Sequence, residues 1–182
     1  MPAALAVVVA LIVAGGAWAV TRGGGGDAQV DVDEGGERVV IPRMTLGNGD
    51  LPGGLSWTLD ARRDGGVCTT LDVSPGEPSR ERCLRTQSFR PVGNTTTRVL
   101  ESAAGRIHLT LGQVSDRAER VRIAPDDAAP FEVPTLGGGT GLDVRFFVMH
   151  TMENVHMSLS ALAADGTVLG RVERPKLPQS SR

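Results

Sequence analysis

Short runs of alternating hydrophobic and polar residues recur along the chain from Arg38 onward. Glycine, proline, asparagine and aspartate separate the runs, and no stretch of a dozen residues has helical periodicity. Period-two alternation between closely spaced turn residues is typical of an antiparallel all-β domain. The pattern therefore predicts an all-β fold, either a β-sandwich (immunoglobulin-like) or an open barrel of short antiparallel strands, preceded by an N-terminal apolar helix. The predicted strands are Arg38–Leu46, Leu55–Arg62, Val67–Val73, Arg98–Glu101, Arg106–Val114, Glu119–Ile123, Phe131–Thr135, Leu142–His150, Val155–Ala163 and Thr167–Glu173.

The turn Asp64-Gly65-Gly66 defines the register of one predicted hairpin. A three-residue loop with glycine in the left-handed conformation places three apolar or small pairs on one face. A two-residue loop would set Trp57 opposite Asp72, which does not suit a buried face. In the preferred register Cys68 lies beside Arg62 and points away from the core. The expected pairs are Ala61 with Thr69, Leu59 with Leu71, and Trp57 with Val73.

Two later segments also carry strand signals. The segment Leu142–Val148 has an apolar side chain at every second position, so we expect it to be the principal core strand. The dipeptide Asp165-Gly166 predicts a second hairpin. His108 lies between Ile107 and Leu109 and is expected on the polar face of its strand.

The first twenty residues are apolar almost throughout. The run from Ala3 to Val20 would span ~27 Å as a helix, about the thickness of a bilayer core. Two interpretations stay open: an uncleaved signal anchor, or a signal peptide cleaved at Ala17-Trp18-Ala19. We favour the anchor because Gly23–Gly26 and the acidic stretch after it would serve as a tether.

This interpretation divides the chain into four regions. They are a signal anchor or transmembrane helix (1–22), a Gly-rich acidic linker (23–36), an extracytoplasmic β domain (37–175) and a disordered tail (176–182). We expect the protein in the cell membrane as a single-pass protein with its C-terminal domain outside the cytoplasm, or secreted if the N-terminal segment is cleaved.

The two cysteines agree with export. Cys68 and Cys83 are too far apart for a Cys-x-x-Cys redox motif, and a cysteine pair in an exported chain is typical of a disulfide. The bridge is expected to pin the segment Ser74–Arg82 onto the outer surface of the sheet.

The body resembles uncharacterised, exported, membrane-anchored small β domains with a single disulfide from high-GC Gram-positive bacteria. The resemblance covers about 110 residues, and its motifs are mostly structural. It implies a membrane-tethered β domain and assigns no catalytic residue. The matching stretches are Leu55-Ser56-Trp57-Thr58-Leu59, Gly66-Val67-Cys68, Arg82-Cys83-Leu84, Gly112-Gln113-Val114 and Ala164-Asp165-Gly166.

Composition and charge exclude several classes of partner. The 19 basic residues nearly balance the 21 acidic ones, so nothing attracts the domain to nucleic acid. Aromatic residues make up 3% of the chain and tyrosine is absent, so an aromatic platform for bases or sugars is not expected.

One cluster carries candidate chemistry. Met149, His150, Met152 and His156 bring thioethers and imidazoles together within eight residues, and these ligands suit Cu(I). With Thr151–Asn154 as a four-residue turn, a hairpin would place Met149 opposite His156 on the outer surface, with His150 at the strand end and Met152 on the loop.

Core packing competes with this metal hypothesis. In the same register Met157 pairs with Val148 on the core side, and residues 155–161 alternate like an ordinary core strand. We therefore assign no metal site, no cofactor and no catalytic residue.

The sequence as a whole predicts a membrane-tethered extracytoplasmic β-sandwich that acts as a non-catalytic interaction or ligand-binding module. Its expected partners are the membrane, through the N-terminal helix, and an unknown protein or small ligand. The alternative is an exported copper-binding protein that uses the cluster at residues 149–157.

Overall fold

The computed structural model describes residues 41–76, 79–84 and 91–174, and these residues form eleven strands and no helix. Every strand pairing is antiparallel, so the predicted all-β antiparallel class is confirmed. Each of the ten predicted runs overlaps one strand, and the short strand β4 was not predicted. The strands are β1 (Ile41–Leu51), β2 (Leu55–Arg63), β3 (Val67–Ser74), β4 (Arg82–Leu84), β5 (Val92–Ser102), β6 (Gly105–Ser115), β7 (Arg120–Pro125), β8 (Phe131–Pro134), β9 (Val144–Thr151), β10 (Met157–Leu162) and β11 (Val168–Arg174).

The strands assemble into three sheets. The first sheet has the order β1-β2-β3-β4, the middle sheet β5-β6-β9, and the third sheet β11-β10-β7-β8. A single bridge between Leu136 and Phe146 joins the chain after β8 to β9 of the middle sheet.

The middle sheet is so called because it has an apolar core on each of its two faces. On one face Ile107 and Phe146 pack with Leu59 and Leu71 of the first sheet, which forms the first core. On the other face Val114, Phe147 and Met149 pack with residues of the third sheet, which forms the second core. The third-sheet residues of the second core include Val121, Ile123, Met157, Leu159 and Ala161. Sheets that are covered on both sides carry apolar residues at consecutive positions, as β9 does.

The register of the β2–β3 hairpin agrees with the prediction. Trp57 pairs with Val73, Leu59 with Leu71, and Ala61 with Thr69. The turn is three residues long, and Gly65 has a φ of 61°, which glycine adopts without strain. The second predicted hairpin, at Asp165-Gly166, is also confirmed by the β10–β11 pairing.

The disulfide between Cys68 and Cys83 is present, and its surroundings differ from the prediction. Arg62 lies beside Cys68 as expected. Cys83, however, lies directly opposite Cys68 on β4, which extends the first sheet at its edge. The bridge therefore joins neighbouring strands of one sheet, and it does not clamp residues 74–82 across the outer face.

The segments predicted as a transmembrane helix (1–22), a linker (23–36) and a tail (176–182) lie outside the described residues. Among the residues that the structure describes, no helix has the length and apolar character needed to cross a membrane.

Gly112 tests the tight packing of the middle sheet. It is the register partner of Phe147, and a Cβ atom built at Gly112 would overlap the Phe147 ring. Overpacking of a core costs about 1–3 kcal/mol. We therefore expect Gly112→Ala to lower the free energy of unfolding by that amount in urea titrations.

The double variant Gly112→Ala/Phe147→Leu is the control, because a smaller side chain at position 147 makes room for the new methyl group. The double variant should lose less unfolding free energy than the sum of the losses in the two single variants. Strict additivity of the two substitutions would contradict the proposed overlap.

Candidate functional site

The hairpin that would bring the Met/His cluster together is not formed. β9 pairs with β6, where Met149 lies opposite Thr110 and His150 opposite Leu109. β10 belongs to the third sheet and pairs with β7 and β11. The predicted register between β9 and β10 is therefore wrong, because the chain crosses from one sheet to another after β9.

The four candidate ligands consequently point in different directions. Met149 is buried in the second core, at 3% exposure, whereas His150 is exposed and follows it on a strand, so the two side chains leave opposite faces. Met152 is 41% exposed. His156 places Nδ1 3.0 Å from Asp126 Oδ2 at the end of β7. The arrangement does not assemble Met149, His150, Met152 and His156 as one copper site.

The disulfide lies within a polar network on the first sheet. The Arg62 guanidinium donates two hydrogen bonds to Glu81, at 2.8 and 2.9 Å, and one to Asp64 at 2.9 Å. The hydrogen bonds from Arg62 lower the pKa of Glu81. Cys68, Glu81 and Cys83 lie close enough together to suggest a metal triad, but the two sulfur atoms are bonded to each other. We therefore interpret this network as structural.

A second polar cluster occupies one end of the second core. Arg174, the last residue of β11, pairs with Met157 and shares the inward face of the third sheet. Its Nη2 donates to Thr97 Oγ1, and its Nη1 lies 3.8 Å from Met157 Sδ. Thr97 Oγ1 is in turn 2.9 Å from Thr110 Oγ1. Both partners of the guanidinium are thus neutral, and burial lowers the pKa of Arg174.

His108 belongs to the same end of the core. It is 7% exposed, so its predicted place on a solvated polar face is wrong. Its Nδ1 is buried without a hydrogen-bond partner in the part of the chain that the structure describes. Burial lowers the pKa of His108, and the charges of Arg174 and Arg106 lower it further, which favours the neutral ring.

Sequence reasoning missed both residues. His108 was expected on the polar face of its strand because a titratable residue on a strand is usually solvated, and Arg174 follows directly after the last predicted strand, Thr167–Glu173. A signal was available for Arg174. It follows Val172 and Gly170 at intervals of two, so the three positions share the inward face of the third sheet.

A free strand edge lies beside this cluster. β5 pairs with β6, and no other described strand pairs with its second edge. Val99, the register partner of His108, is 50% exposed on this strand. A shallow groove of about 220 Å³ runs between β5 and the end of β3. Its lining includes Leu55, Val73, Pro75, Arg98, Val99 and Leu100.

Burial of the methionines separates core packing from metal binding. Met149 and Met157 are at most 3% exposed. Met149→Ala and Met157→Ala should therefore each lower the free energy of unfolding by about 2–5 kcal/mol. Met152→Ala, at an exposed site, should cost less than about 0.5 kcal/mol. Denaturant unfolding of the three variants measures these values.

The control is Cu(I) itself. Cu(I) should leave the thermal stability of the wild-type protein unchanged, and it should also leave that of His156→Ala unchanged. A stoichiometric stabilisation that disappears in His156→Ala would restore the copper hypothesis.

No family model, no curated protein and no solved structure matches this chain. The resemblance to exported single-disulfide domains therefore stays a prediction from the sequence. The functional argument rests on the geometry of the described residues, which offers a free strand edge, an adjoining groove and a buried polar cluster.

Proposed function

We propose that the chain is a membrane-tethered extracytoplasmic β domain that acts as a non-catalytic interaction module. The free edge of β5 carries this proposal. A free strand edge presents unpaired N–H and C=O groups, which are a template for an added strand. β5 has eleven residues, about twice the usual strand length, so it offers an unusually long template.

The occupant that fits this edge is an extended segment of a partner protein. Main-chain hydrogen bonds to β5 would supply affinity, and alternate side chains of the segment would point to opposite faces. One set would enter the groove, where Leu55, Val73 and Leu100 provide apolar contacts. Arg98 keeps one wall of the groove in place, since its Nη1 donates to the Leu71 carbonyl at 2.9 Å.

The proposed location is supported by the sequence and by the bridge. The apolar segment at residues 1–22 is long enough for a membrane anchor, and disulfides are rare in reducing compartments. The Cys68–Cys83 bridge is thus consistent with a domain outside the cytoplasm.

We also favour a layered β-sandwich over an open barrel. Support comes from the two separate apolar cores, one on each face of the middle sheet. An immunoglobulin-like sandwich has one core between two sheets, so the present arrangement would add a third layer to that plan.

Thiol chemistry tests the location. Full-length protein taken from cells in the presence of an alkylating agent should carry no alkylated cysteine, because an exported Cys68–Cys83 pair is oxidised. A variant without residues 1–22 should stay in the cytoplasm and be alkylated at both cysteines. Complete alkylation of the full-length chain would contradict export.

Site-specific photocrosslinking tests the binding edge. A photoreactive amino acid at Asn94, an exposed β5 residue, should give a discrete adduct with one protein in intact cells. Val99→Lys in the same chain should reduce that adduct about tenfold, since lysine on an edge opposes strand pairing and tenfold corresponds to ~1.4 kcal/mol.

Val168→Lys is the matched control because Val168 is 54% exposed, much as Val99 is, and lies on β11 of the third sheet. It should leave the adduct unchanged. Equal losses in both lysine variants, or no adduct at all, would overturn the proposed edge.

A further inference from the structure

Arg174 is a buried cation without a counter-charge in the described structure. Its exposure is 8%, and it forms no ion pair with any carboxylate of residues 41–76, 79–84 or 91–174. Glu101, an acid on β5, is already held by Arg106 at 2.9 Å. Burying an unpaired charge is unfavourable, so an anion bound at this position would stabilise the guanidinium.

The guanidinium also has unused hydrogen-bonding capacity. Arginine has five N–H groups. Two of them are directed at the Thr97 hydroxyl and the Met157 sulfur, which leaves three. Both of these partners are neutral, so they orient the guanidinium without compensating its charge.

His108 supplies a second unsatisfied group at the same end of the second core. Its side chain is more than nine-tenths buried, and its Nδ1 has no partner among the described residues. Thr110, two residues along β6, shares its face of the sheet and reaches Arg174 through Thr97. A neutral imidazole that carries its proton on Nδ1 would have an unused hydrogen-bond donor there.

These groups together specify an acceptor that carries one negative charge. Arginine and a neutral histidine present one positive charge in total, so a dianion would leave an uncompensated charge. A carboxylate has two coplanar oxygen atoms that match the planar fork of a guanidinium. Water or a hydroxyl could fill a hydrogen bond but would not neutralise Arg174.

We propose that Arg174 and His108 form a binding site for the carboxylate group of a ligand, at the end of the second core. Val99, half exposed beside His108, and Val172, 37% exposed and two residues before Arg174, give the site an apolar rim. The ligand is therefore a carboxylate attached to a small apolar group. Arg174 and His108, which carry this inference, do not line the β5 groove. Val99 belongs to both features, and the variants at Arg174 and His108 therefore separate this inference from the strand-binding proposal.

Titration with simple carboxylates tests the site in the full-length chain. Acetate and benzoate should raise the melting temperature saturably relative to chloride at equal ionic strength and pH. Benzoate should act at a lower concentration because of the apolar rim. Sulfate, which is a dianion near neutral pH, should give no saturable increase beyond that of chloride.

Three variants locate the effect. Arg174→Met keeps the length of the side chain without its charge and should abolish the acetate response. His108→Leu removes the Nδ1 donor and should weaken the response about tenfold. Arg171→Met is the matched control on the same strand, because Arg171 is exposed and paired with Glu173 at 3.1 Å, and it should respond like the wild type.

A measurement on the wild-type chain covers the case in which Arg174→Met does not fold. Acetate should shift the NMR signals of His108, Thr97 and Thr110 with one common saturation curve. No saturable shift, or shifts confined to other residues, would overturn the proposal. A response that survives in Arg174→Met, or one stronger for sulfate than for acetate, would overturn it as well.

Discussion

Burial of both faces of the middle sheet is the constraint on which the rest of the structure depends. Phe146 and Phe147 are consecutive residues of β9, and each is fully buried in a different core. A strand with two large apolar neighbours of this kind needs a covering layer on either side. Gly112 makes the arrangement possible, since the ring of Phe147 occupies the space that a Cβ would fill on the paired strand. The first and third sheets are accordingly held by one three-stranded layer.

The sequence predicted best those features that depend on neighbouring residues. The β2–β3 register follows from a glycine turn and from the alternation on either side of it, and both are local. The partner of β9 depends on a distant segment, β6, which alternation does not reveal. Proximity in sequence therefore suggested a β9–β10 hairpin, and with it a Met/His cluster that the fold disperses. Met149 and Met157 do meet in one core, but they meet as packing residues from two sheets.

The polar residues of the second core show why the candidate site was harder to predict than the fold. Period-two patterns identify a buried face by its apolar residues, so His108 and Thr110 make their face of β6 look solvated. Their burial is energetically unfavourable unless each polar group has a partner. Thr97 and Thr110 satisfy each other, and Thr97 also accepts from Arg174. The imidazole Nδ1 and the guanidinium charge are what the described residues leave uncompensated.

The same constraint limits where the middle sheet can bind a ligand. Because the middle sheet has no face open to solvent in the described part of the chain, it can meet a ligand at its edges or where the covering layers end. β5 is its free edge, since the other edge strand, β9, is engaged by Leu136. Val99 on that edge is the cross-strand neighbour of His108, so the edge and the end of the second core adjoin. A single segment ending in an apolar side chain with a carboxylate could therefore engage both features.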